Sequence, residues 1–176
     1  MSPKNKRSVR ANALATAIKP TRDIAAAREL AAQQVEGHQL IGRFVSEFSQ
    51  LDFSIRFLLA KRLGLADEYF DIVTAPYDFA MLCNVTRELI CKQSPNIKDE
   101  IEKLFNECLK LNDDRVHVAH GMWTLGQEGL VARHVQRRSL QPKYFFEKKD
   151  ELNQLAADAQ QLMHAVLTIG TQETHT

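Results

Sequence analysis

Apolar residues return at three- and four-residue steps along most of the chain, and the spacing changes character only after Gly121. Leu40, Ile41, Phe44, Val45, Phe48, Leu51, Ile55, Leu58 and Leu59 predict a helix over about residues 37–63, which Gly64 is placed to end. Phe79, Met81, Leu82, Val85, Leu89 and Ile90 predict a second helix between Tyr77 and Lys92, opened by Pro76 and closed by Ser94-Pro95-Asn96. Ile97, Ile101, Leu104, Phe105, Cys108, Leu109 and Leu111 line one side of a third, and Arg115 falls seven residues after Cys108, on the continuation of that inward stripe. A last helix over residues 147–168 turns Leu152, Leu155, Ala156, Ala159, Leu162, Met163, Val166 and Leu167 inward. Between these two, Met122–Leu125 and Leu130–Val135 alternate around a glycine-containing turn and read as a β-hairpin, with Tyr144-Phe145-Phe146 anchoring the return. The predicted fold is mainly α, a helical bundle of four main helices with a small β-hairpin before the last helix.

Ahead of the bundle, an Ala-rich stretch from Arg22 to Gln34 predicts a short helix starting after Pro20-Thr21. Residues 1–21 read as a basic flexible N-terminal arm, residues 22–170 as the helical domain and residues 171–176 as a C-terminal fray. At 176 residues, 44% hydrophobic with 7 glycines and 5 prolines, the chain suits one compact domain. Its apolar runs are too short to span a membrane. Cys83, Cys91 and Cys108 are odd in number, lack metal-ligand spacing and sit in apolar helical patterns. They predict buried thiols in a reducing, cytoplasmic setting.

The net charge of +1 conceals segregation: +6 over residues 1–22, −6 over 23–114, +5 over 115–149 and −4 over 150–176. The basic block begins at Arg115, and a phosphate backbone responds to local charge. Arg133, Arg137 and Arg138 are placed along the hairpin rim, where they either keep an edge strand solvated or track RNA phosphates.

Asp113-Asp114-Arg115-Val116-His117-Val118-Ala119-His120 concentrates the chemistry. Histidine exchanges protons near neutrality, and arginine holds phosphate through paired hydrogen bonds. Arg115 and His120 lie about 140° apart on an ideal helix, whereas Asp113, His117 and His120 share one face. Three readings follow. One is a metal-free arginine–histidine pair completed by the helix end or a second subunit. Another is an Asp113/His117/His120 cluster able to hold a divalent ion, as in a metal-dependent hydrolase. The third is histidines that merely favour the helix C-terminus before Gly121. Asp52, about 40° from Phe48 on the helix predicted over residues 37–63, is either a satisfied carboxylate at the stripe's flank or a partner for Arg115 or His120.

The Arg115-x4-His120 spacing, with Ala119-His120-Gly121-Met122-Trp123 after it, resembles the R-x(4–6)-H motif of the HEPN superfamily, and Phe48–Arg56 is similar to the acid-bearing first core helix of those proteins. The likeness covers roughly residues 40–168. It implies a helical, dimeric, metal-independent RNA endonuclease without a cofactor. In that chemistry a ribose 2′-hydroxyl attacks phosphorus, His120 moves protons and Arg115 stabilises the phosphoryl oxygens. Val116 stands where the family carries a polar residue, so that Asp114 or His117 substitutes or the relative is inactive and only binds RNA. The competing expectation is a non-enzymatic helical dimer, an interaction module in a phage-defence, toxin–antitoxin or regulatory assembly.

Overall fold

The computed structural model describes the backbone of residues 3–126, 129–135 and 140–171, and their side chains from residue 24 onward apart from Lys149. Four long helices dominate: α1 (Pro3–Leu63), α3 (Phe79–Gln93), α4 (Lys98–His120) and α5 (Lys149–Thr171), with a short α2 (Phe70–Thr74) in the first connection. Strands β1 (Met122–Leu125), β2 (Leu130–Val135) and β3 (Pro142–Phe145) separate α4 from α5. The mainly α bundle with a small antiparallel sheet before the last helix is therefore as the hydrophobic pattern predicts.

Helix α1 carries no break at the expected boundary near Pro20-Thr21; one helix spans the basic arm, the Ala-rich stretch and the core segment. The side chains of the arm lie outside the described residues. At its far end Gly64 adopts φ +65°, and Gly64 N and Leu65 N donate to Lys61 O and Ala60 O at 3.1 and 3.0 Å. That double closure satisfies the last carbonyls of the helix and favours glycine.

The core is the sum of the predicted stripes. Phe44, Leu51, Ile55 and Leu59 of α1 meet Leu82, Cys83 and Ile90 of α3, Ile101, Phe105 and Cys108 of α4, and Ala159 and Val166 of α5, all fully enclosed. Val45, Met81 and Leu167 stand outside it, 46%, 51% and 41% exposed, because they sit at the edges of their stripes where no neighbouring helix reaches. Arg43 and Lys61 of α1 bond to Asn153 and Gly170 O of α5, which sets those two helices parallel. The packing of Phe79 on Phe48 and the bond from Gln93 to Arg62 O align α3 with α1. Helix α4 runs against all three.

The sheet has the order β1-β2-β3. Met122, Trp123, Thr124 and Leu125 oppose Arg133, Ala132, Val131 and Leu130, and the turn closes with Gly126 N donating to Gly129 O at 2.6 Å. The hairpin is thus present as expected, and it gains a third strand that the alternation did not announce, since β3 is four residues long and begins on proline. Phe146, just after β3, takes φ +60° and is buried, stacked on Trp123. A left-handed phenylalanine costs about 1 kcal/mol or more and persists because packing over-determines it.

Candidate functional site

The C-terminal half of α4 delivers the chemistry to the end of the bundle where the sheet begins. Arg115 lies at the phase of the inward stripe, yet it is exposed. Its guanidinium sits over the Phe48 ring, 5.9 Å from the centroid, at the mouth of a cleft of about 530 Å³ that also borders Asp52, Arg56, Asp78 and Asn112. The cause is a loss of cover. Helix α3 starts at Phe79, capped by the Asp78 side chain accepting from Met81 N at 2.8 Å, so α3 does not cover α4 beyond that level. A long cationic side chain can lay its stem on apolar surface and keep its head in water.

Asp52 does not pair with Arg115 or His120. Arg56, one turn along α1, grips it through Nε and Nη2 at 2.6 and 3.2 Å. The same guanidinium donates to Thr74 O, and to Tyr77 O at 3.1 Å, so this pair pins the α2–α3 connection to α1. The bland reading of Asp52, a satisfied carboxylate at the stripe's edge, is the one the geometry shows. Its partner was findable from the i,i+4 rule.

His120 is the last residue of α4 and is exposed. Neither it nor Arg115 has a hydrogen bond or ion pair among the described residues. Gly121 follows in an extended conformation (φ −71°, ψ 143°), not a left-handed one. Glycine is needed for a different reason: a Cβ would come within 2.6 Å of His117 O and 3.0 Å of the Ala132 Cβ. The sheet lies that close to the helix end.

His117 belongs to this joint. Its ring stacks on Phe145 (centroids 4.0 Å, planes 21° apart) and meets His134 edge-on at 5.8 Å, and its Nδ1 is buried without a hydrogen-bond partner among the described residues. Asp113 and His120 are exposed, whereas the His117 ring lies against Phe145. Among the described residues no group of three His, Cys, Asp or Glu is arranged to hold a metal ion. Asp114 is half-buried toward α5, and burial pushes its carboxyl above the ordinary range; His117 opposes this, and Asp113 and Asp158 add smaller upward pushes. Val116 is 38% exposed.

Arg133 departs from its expected place. It lies on the central strand, not the rim, between Met122 of β1 and Tyr144 of β3, with a buried Nε that lacks a hydrogen-bond partner among the described residues. Arg137 and Arg138 fall outside the described residues. Trp123 is half-buried; its Nε1 donates to Val118 O at 3.1 Å and ties β1 to α4. Cys83 and Cys108 are buried free thiols in contact across α3 and α4, and their mutual hydrogen bond together with burial pushes Cys83 far up, leaving it inert as a nucleophile.

No protein-family model, curated protein or solved structure matches this chain. Among the described residues no helix is long and apolar enough to cross a membrane.

Proposed function

We propose that this chain is a HEPN-like, RNA-directed protein whose metal-independent endonuclease site assembles between two copies, Arg115 of one facing His120 of the other. One observation carries the reading: both motif side chains stand exposed at the end of α4 without a hydrogen bond or ion pair among the described residues, Arg115 lying over the Phe48 ring. A fold that used them for stability would enclose or pair them. Their separation around the helix keeps one copy from presenting both to a single phosphate, and a two-fold pair supplies them jointly.

In the reaction this implies, the O2′–P bond forms as the P–O5′ bond breaks. His120 takes the 2′-hydroxyl proton and returns one to the leaving 5′-oxygen, while Arg115 stabilises the charge on the non-bridging oxygens. Apolar surface for a second copy is available on α1, where Phe53 and Phe57 are 58% and 52% exposed one turn apart, Phe53 against the Phe70 ring.

The test is RNA cleavage by purified protein, with and without chelator. Arg115→Ala and His120→Ala should each abolish it, His117→Ala and chelator should not. Mixing the two inactive variants should restore about a quarter of the activity if subunits exchange freely, because half the dimers regain one of two sites. Absence of rescue, with both variants dimeric, would refute the shared site. The second reading, a non-enzymatic dimer, draws on Val116: an exposed apolar residue beside the arginine offers no proton or hydrogen bond to a reaction. It predicts no cleavage by the intact protein.

A further inference from the structure

One side of the sheet faces the helices and the other turns away from them. Leu130 meets Gly37 of α1, Ala132 meets Gly121, Trp123 bonds to Val118 O and Phe145 stacks on His117, so these residues face the helices. Strand alternation then turns Met122, Arg133 and Tyr144 the other way. The three are cross-strand neighbours in one row, Met122 against Arg133 and Arg133 against Tyr144. Met122 and Tyr144 are 57% and 52% exposed. A shallow cleft of about 480 Å³, bordered by Thr124, Val131, Tyr144 and Lys148, continues the row.

We infer that the side turned away from the helices binds single-stranded RNA, with an unpaired base on the Tyr144 ring and the adjoining phosphate on Arg133. The inference rests on the RNA reading above and assigns it a surface separate from the Arg115–His120 motif. Three features select the ligand. An exposed aromatic ring on a strand offers a stacking plane that fits any unpaired base and none inside a duplex. Arg133 stands between Met122 and Tyr144 with no hydrogen-bond partner for its Nε and no ion pair among the described residues, so its positive charge is left for an anion brought to the row. The charge is complementary: residues 130–149 hold Arg133, Arg137, Arg138, Lys143, Lys148 and Lys149 against Glu147 alone. A peptide adding to this sheet would use a strand edge and its backbone groups, for which neither Tyr144 nor Arg133 is required.

The probe is a fluorescein-labelled 2′-O-methyl oligonucleotide of mixed sequence, single-stranded or annealed to its complement; it lacks the attacking hydroxyl, so binding is read by anisotropy without cleavage. The intact chain should bind the single strand more tightly than the duplex. Tyr144→Ala should weaken binding about ten- to a hundredfold, the range for losing one stacked base, and Tyr144→Trp should retain it. Arg133→Gln should weaken binding and lower the slope of log affinity against log salt by about one. Circular dichroism guards against unfolding in the Arg133 variant, and exposed Tyr144 carries the test if that variant fails to fold. Binding unchanged in Tyr144→Ala, equal affinity for duplex, or no binding by the intact chain overturns the inference. So does a Tyr144→Ala variant that binds RNA normally but loses self-association, which would make this side a contact between copies. The two proposals separate cleanly. Binding that needs Tyr144, without cleavage of natural RNA, keeps the surface and removes the nuclease; cleavage with Tyr144→Ala binding intact does the reverse.

Discussion

From Ile101 to Leu111, α4 encloses Ile101, Phe105 and Cys108 completely, whereas from Arg115 to His120 it encloses only Val118. Both halves keep the same helical step, and Arg115 projects within about 20° of Cys108 around the axis. What differs is the neighbour. The first half faces α3 along its length; the second extends past the capped start of α3, where Arg56 draws the preceding connection back onto α1. Periodicity fixes which way a residue points, and a second element decides whether anything is there to meet it.

The largest effect should come from the enclosed half. Phe105→Ala removes a ring that is 0% exposed and should cost about 3–5 kcal/mol, read as a lower chemical-denaturation midpoint at unchanged slope. A loss below about 1 kcal/mol, inside the range of a surface substitution, would erase the contrast between the two halves.

Next in size is the joint between α4 and the sheet. Gly121→Ala places a methyl group against His117 O and Ala132 and should cost on the order of 1–3 kcal/mol. The sheet should loosen first, visible as faster amide exchange in β2 than in α1. Uniform loss across the protein would instead mean that sheet and bundle unfold as one unit.

The contrast also explains what the sequence disclosed. The stripes of α3, α4 and α5 are regular because each must bury one side, and the hairpin is signalled by alternation around Gly126 and Gly129. The third strand was hidden because four residues starting at Pro142 carry too little pattern to register. The stripe points Arg115 inward although it is exposed, because phase does not report where α3 begins. Asp52 was offered to the motif although Arg56 stands four residues away. The Met122–Arg133–Tyr144 row depends on strand register across β3, which no local spacing encodes.

Asp114, midway between the two halves, gives a smaller and pH-dependent effect. Its carboxyl is pushed up from the usual 3.8, mainly by burial, so the folded state binds its proton more tightly than the unfolded chain. Stability attributable to this group is therefore greatest below 3.8 and declines as pH rises through the folded-state value. Asp114→Asn should raise the melting temperature at neutral pH, with the advantage shrinking as pH falls toward that of the free aspartate. A variant less stable than the parent at pH 7 would show that the charge of Asp114 is stabilised by a contact stronger than its burial penalty.

The smallest effects should belong to the motif itself. His120→Ala removes an exposed side chain without described partners and should shift stability by no more than about 0.5 kcal/mol. Arg115→Ala forfeits the contact with Phe48 and should cost about 0.5–1 kcal/mol, the range for an exposed cation over a ring. Arg115→Lys should recover part of that loss, because the attraction depends on positive charge above the ring. Thermal unfolding of the three variants at concentrations low enough to dissociate any dimer isolates these contributions from assembly. If either alanine variant lost several kcal/mol, the side chain would be a structural element after all, and its exposure at the end of α4 would no longer argue for chemistry. Near-zero values combined with lost RNA cleavage would place the motif where the comparison of the two halves puts it, on the part of α4 that the fold leaves uncovered.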